Sequence, residues 1–128
     1  MPRLTIRIDF DGAQSFGPGK ARLLELIDVH GSIRSAAAAM NMSYRHAWLL
    51  LQAVEDTFAS PVIATSTGGA KGGGAKLTEL GRTLIARYRI IESAAAKAAA
   101  HDLAELSRAT TGGPDSEERG GKRDRAHR

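Results

Sequence analysis

The chain has 128 residues, enough for one modest core and too few for a second full-sized ligand domain beside it. It contains no cysteine, which excludes a disulfide framework, a thiolate metal site and a cysteine nucleophile. With 18 Lys and Arg against 14 Asp and Glu the net charge is +4, a mild excess that fits a polyanionic partner without requiring one.

Apolar runs are a few residues long, far short of the roughly 18–20 needed to span a bilayer, so no membrane association is expected. The start, MPRLTIRIDFDG, alternates too regularly for a signal peptide, and a cytoplasmic location is expected.

Leu4, Ile6, Ile8 and Phe10 alternate with Thr5, Arg7 and Asp9, the period of a strand, closed by the turn pair Asp11-Gly12. After Gly17-Pro18-Gly19, the residues Leu23, Leu24, Leu26 and Ile27 fall on one broad helical face, and His30-Gly31 stops that helix. Ser32 is placed to cap a short alanine-rich helix over 33–40, Asn41 to turn the chain, and Ser43 to cap a third helix over 44–58. Beyond Pro61, residues 62–65 and 75–77 read as two short strands joined by a glycine-rich loop over 66–74. Thr78 then caps a long helix.

This order gives a mainly α fold with a small β component. It predicts a winged helix-turn-helix with an N-terminal strand and a long C-terminal dimerisation helix. The division expected is 1–78 for that domain (helix-turn-helix about 32–58, wing about 62–77), 79–106 for the long helix, and 107–128 for a charged, disordered tail.

The unit from Gly31 to Phe58 carries the functional signal. Ala36, Ala37 and Ala39 let two helices approach closely, while Ala47, Leu51, Val54 and Phe58 share the core face of the second. The opposite side of its first turns holds Tyr44, Arg45, His46 and Trp48: hydrogen-bonding, cationic and stacking groups where a recognition helix enters the major groove. Arg34 and Ser35 begin the preceding helix, in reach of backbone phosphates. On the wing, Lys71 and the glycine amides are placed to lie along a phosphate backbone or a minor groove, and Lys76 is a further candidate contact. From His30 to Ile91 seven Lys and Arg face three acids, so the net excess is centred here. Trp48 has two open placements: packed between the third helix and the wing, which the pattern favours, or facing the groove. His46 is either a contact or an exposed helix position.

Other chemistries fail on spacing. Gly69 to Gly74 has the glycine spacing of a phosphate loop, but Ala75 stands at the lysine position and Lys76-Leu77 supplies no hydroxyl. His30, His46, His101 and His127 are too scattered for a metal site, and no serine sits in a nucleophile elbow, so no catalysis is expected. On the long helix Leu80, Leu84, Tyr88, Ile91, Ala95 and Ala98 step by three or four along one stripe, which Leu103 and Leu106 extend. That stripe reads as a surface for pairing with a second copy.

The segment GSIRSAAAAMNMSYRHAWLLLQAVEDTF, with ATSTGGAKGGGAKLTELGRTLIARY after it, resembles the N-terminal DNA-binding domain of ModE-type molybdate-responsive transcriptional regulators, relatives of the LysR-type winged helices. Its most specific parts are SYRHAW, TGGAKGGGAKLT and Leu80-Gly81, and it covers roughly residues 3–95. The resemblance implies a dimer on an inverted repeat of double-stranded DNA. It carries a DNA-contact role to Arg34, Ser35, Ser43, Tyr44, Arg45 and the wing around Thr67 and Lys71. No molybdate-binding domain follows the long helix, so a regulator without that domain and with no cofactor is expected. One open route to sensing is an oxyanion held by the amides of the glycine-rich wing. A second functional expectation is an interaction module that forms a heterodimer with a full-length regulator.

Overall fold

The computed structural model describes residues 2–12, 14–66 and 73–111. In chain order the elements are β1 (Ile8–Asp9), β2 (Ser15–Phe16), α1 (Pro18–His30), α2 (Ile33–Ala39), α3 (Tyr44–Phe58), β3 (Ile63–Ser66), β4 (Gly74–Leu77) and α4 (Glu79–Ala109). Thr5–Ile91 forms one unit, which holds the core; α4 from Glu92 onward belongs to another.

Each helix of the core unit starts and stops for a local reason. Pro18 opens α1, where a fixed φ and a missing N–H cost nothing. Gly31 closes it at φ +77, a left-handed turn that lets its N–H reach the Ile27 carbonyl at 2.8 Å. The Ser32 hydroxyl accepts the Ser35 N–H at 3.0 Å at the head of α2. At the head of α3, the Ser43 hydroxyl accepts the His46 N–H at the same distance. Between them Asn41 takes φ +57, a conformation asparagine tolerates better than most residues.

Leu23, Leu24 and Ile27 of α1, Ile33, Ala36 and Ala37 of α2, and Ala47, Leu51 and Val54 of α3 are buried together. Small alanines at the α2–α3 contact bring the backbones close. Ala39, expected among them, is exposed because α2 ends there.

β3 and β4 pair antiparallel, Ile63 opposite Leu77 and Ser66 opposite Gly74. The base of this hairpin is tied to its neighbours. Thr78 N–H donates to the Val62 carbonyl at 2.9 Å, and its hydroxyl donates to the Pro61 carbonyl at 2.8 Å. Thr78 Oγ1 also accepts the Gly81 N–H, capping α4. A side chain at Gly81 would collide with the Val62 carbonyl oxygen, so glycine permits this close approach of helix and hairpin.

The mainly helical class holds, but the expected architecture is corrected. The N-terminal strand shrinks to two residues. Ile6, Ile8 and Phe10 do face inward and Arg7 and Asp9 outward, yet among the described residues the ladder pairs only Ile8 with Phe16 and Asp9 with Ser15 of β2. Alternation sets which face is apolar; pairing needs a partner of equal length, and none is supplied. The β component is two separate two-stranded sheets, β1–β2 and β3–β4. A winged helix-turn-helix with one N-terminal strand is therefore not the description that fits. At the other end α4 runs to Ala109, so the first three residues assigned to the tail are helical.

Candidate functional site

The first turns of α2 and α3 lie side by side and carry cations. Arg34 sits over the Tyr44 ring, its Cζ 4.9 Å from the centroid, a cation–π contact that links the two helix starts. Arg45 and His46 are exposed beside it, as are Ser35 and Ser43. Neither helix has an acidic residue in its first turn, so the positive end of α3's dipole is uncompensated there.

A cleft of about 500 Å³ opens between α3 and the β3–β4 hairpin. Arg34, Tyr44, Trp48 and Gln52 line it from the helices, and Thr65, Ser66, Gly73 and Gly74 from the hairpin. Backbone contacts fix its width. Ala75 N–H donates to the Gly31 carbonyl at 2.8 Å, and a Cβ at Gly74 would stand 3.4 Å from that same oxygen. At the far end the Glu55 carboxylate accepts the Val62 N–H at 2.9 Å, joining the last turns of α3 to the approach to β3. A Cβ at Gly73 would lie 2.7 Å from the Ser66 carbonyl oxygen, so the two strands approach more closely here than a side chain allows.

The expected contact residues separate into three groups. Arg34, Tyr44 and Trp48 line the cleft together. Ser35, Ser43, Arg45 and His46 flank it on the exposed helix starts, and Lys76 is exposed on β4 outside the lining. Thr67 and Lys71, with the oxyanion route through the wing amides, lie outside the described residues, as does most of the charged tail.

Two placements are corrected. Trp48 is 44% exposed, so the buried placement is corrected: it lies on the cleft wall, beside Leu51 three residues on. Tyr88 cannot belong to a pairing surface, being 1% exposed. Its ring packs edge-on against Phe16 at 5.5 Å between centroids, and its hydroxyl donates to the Ile6 carbonyl. Leu80 and Leu84 pack partly on the same core, whereas Ile91 and Ala98 are exposed and Ala95 half-exposed.

Three residues of the site were missed. Gln52 and Glu55 line the cleft, and Leu49 is exposed one turn after Arg45. Extending the four-residue step from Tyr44 through Trp48 would have found Gln52. The acceptor role of Glu55 rests on a loop geometry no spacing reveals.

Among the described residues no three His, Asp or Glu side chains gather as a metal set, and no helix is long and apolar enough to cross a membrane.

No family model matches the chain. It is 39% identical over 87 residues to the molybdenum-pterin-binding protein MopA of Rhodobacter capsulatus, covering 68% of this chain and 33% of that protein. It is 35% identical over 85 residues to the molybdenum transport protein ModE of Azotobacter vinelandii, covering 66% and 32%. Against the DNA-binding transcriptional dual regulator ModE of Escherichia coli K12 the identity is 33% over 81 residues, covering 63% and 31%. The chain thus spans about a third of the length of the curated relatives it matches.

These relatives correct the functional expectation. MopA is a protein that binds molybdenum pterin, so similarity to it along most of this chain removes the ground for a DNA-binding domain that takes no oxyanion and no cofactor. The regulator defined by lacking a molybdate-binding part falls with it. Heterodimerisation with a full-length regulator finds no support among the relatives.

Proposed function

We propose that this chain contacts duplex DNA through the first turns of α2 and α3 and the β3–β4 hairpin, within a protein whose chemistry is linked to molybdenum. The observation that carries the DNA contact is the Arg34–Tyr44 pair beside exposed Arg45, on helix starts free of acidic residues in their first turns. Arg34, Ser35 and Lys76 suit phosphate oxygens, whereas Tyr44, Arg45 and Trp48 stand where base edges would be met. His46 and Ser43 flank them, and Ser43 also fixes the first turn of α3 by its cap. The proposed role is binding, not catalysis. A relative described as a DNA-binding transcriptional dual regulator supports the partner class.

The molybdenum link rests on what the relatives are described as binding or transporting, and no described residue is assigned to hold the metal. Pairing of two copies belongs to the same proposal, with Ile91, Ala95 and Ala98 on the surface available for it. The contact region falls within 1–78 and the pairing region within 79–106.

Fluorescence anisotropy with a labelled duplex tests the reading. Binding at about 50 mM salt should weaken as salt rises, with a log–log slope near −0.9 per neutralised phosphate. Absence of binding at that salt rejects it. Repeating the titration with molybdate tests the link directly: a changed affinity ties the oxyanion to these 128 residues. Light scattering should report a dimer that Ile91→Glu converts to monomer; a monomeric parent chain at the same concentration rejects the pairing.

A further inference from the structure

Leu49 is a large apolar side chain left 47% exposed on α3 by the described residues. Two residues on, Leu51 is buried in the core, so Leu49 lies on nearly the opposite side of the helix. It is four residues after Arg45, hence on the same outward strip and about 6 Å further along the axis. Leu49 is not among the residues lining the cleft, so its neighbourhood is the convex outer surface of α3. Arg45, which is exposed and also outside the cleft lining, heads that surface.

We infer that Leu49 reads the 5-methyl group of thymine in the major groove. The inference rests on the DNA-contact reading above and deepens it by naming a base. The strip combines a leading cation with an apolar group one turn behind. A helix laid in the major groove meets phosphates at the rim and base edges below. Of the base edges there, thymine alone presents a methyl group, which an aliphatic side chain recognises by contact and dehydration. A protein partner for Leu49 would have to accept the guanidinium beside it, whereas a duplex accepts both.

The test uses the full chain and the duplex it retains from a random library. Thymines of that duplex are replaced one at a time by deoxyuridine, which deletes the methyl and keeps every Watson–Crick and backbone group. At one or more positions the affinity should fall about fourfold, the worth of one buried methyl group. In Leu49→Ala the thymine and uracil duplexes should bind alike at that position, and Leu49→Met should retain part of the difference. Circular dichroism should show both variants folded, since the side chain is exposed.

Three results overturn the inference. One is a parent chain indifferent to uracil everywhere. Another is a uracil penalty that persists undiminished in Leu49→Ala. The third is a Leu49→Ala chain that keeps its duplex affinities but loses self-association, which places Leu49 in a protein contact. All three leave the DNA contact standing, because the unmodified duplex is still bound with salt-dependent affinity. A chain that retains no duplex overturns both readings together.

Discussion

Helices α3 and α4 carry similar apolar stripes in sequence, yet the fold uses them differently. On α3 the stripe Ala47, Leu51 and Val54 is buried as one line, Tyr44 and Trp48 border it on the cleft side, and Arg45, His46 and Leu49 are exposed on the far side. On α4 the stripe divides. Tyr88 is buried and Leu80 and Leu84 are half-buried, whereas Ile91 is 42% exposed. Polar ties supplement the apolar contact there: the Thr78 cap, the Tyr88 hydroxyl on the Ile6 carbonyl and an ion pair from Arg89 to Glu25. A periodic stripe fixes the phase of a helix; what covers each residue of the stripe is decided by elements far away in sequence.

The contrast within α3 is the easiest to break. Leu51→Ala should destabilise the chain by about 3 kcal/mol, because it removes a buried isobutyl group and leaves a cavity among α1, α2 and α3. Leu49→Ala, two residues away and outward, should change stability by less than about 0.5 kcal/mol. Urea denaturation of the two variants measures both. Comparable losses would mean that α3 is covered on both sides.

For α4 the corresponding substitution is Gly81→Ala. A Cβ there meets the Val62 carbonyl oxygen, a backbone atom whose neighbours are pinned by Glu55 and Thr78, so relief requires the helix to shift. A loss of about 2 kcal/mol is expected, in the range of overpacked cores. A shift of the α4 start would also disturb the Arg82 bond to the Leu77 carbonyl at 3.0 Å. An unchanged thermal midpoint would show that the helix–hairpin junction yields freely.

How much of this was legible in sequence follows from the range of each interaction. The caps at Ser32, Ser43 and Thr78, the stop at Gly31 and the inward face of α3 depend on residues a turn or less apart, and all could be read. The β1–β2 pairing could not, because alternation in Leu4 to Phe10 says nothing about a two-residue partner at Ser15. Tyr88 was misplaced because its partners, Phe16 and Ile6, lie some seventy to eighty residues away. The site followed the same rule. The exposure of Arg34, Tyr44 and Arg45 at the helix starts could be expected from helix periodicity, whereas the cleft position of Trp48 and the acceptor role of Glu55 required the hairpin in place.

The ion pair on α4 gives a smaller, pH-dependent effect. Arg89 donates to both oxygens of Glu25, from Nε at 2.9 Å and Nη2 at 2.7 Å, and this hydrogen bonding holds the Glu25 carboxyl below its ordinary value. A depressed folded-state pKa favours the native state once the unfolded carboxylate is ionised. The contribution is therefore complete above the ordinary value of 4.5 and lost as pH falls through the lower folded value. Both side chains are partly exposed, so its size is at most about 1 kcal/mol. Glu25→Gln should lower the urea midpoint at neutral pH, and the difference from the parent chain should shrink as pH falls below 4.5 and through the lowered folded-state value. An equal effect at both ends would assign the loss to packing, not charge.

The smallest expected effect concerns how α3 ends. α1 and α3 both close with a left-handed residue whose N–H returns to a carbonyl four residues earlier, but α1 uses Gly31 and α3 uses Ala59, at φ +52 and ψ +40. An L-residue pays about 1 kcal/mol for that conformation, whereas glycine adopts it without a Cβ clash. Glycine also gains freedom in the unfolded chain, which offsets part of the relief. Ala59→Gly should therefore stabilise by about 0.5 kcal/mol, read as a small rise in urea midpoint at unchanged slope. Ala59 immediately precedes Ser60-Pro61 and the Val62 N–H bound by Glu55, so the backbone here also aims the hairpin. A more stable Ala59→Gly chain with weaker duplex binding would show that the strained alanine holds the hairpin in register with α3. Equal gains in both measurements would reduce Ala59 to a helix terminator.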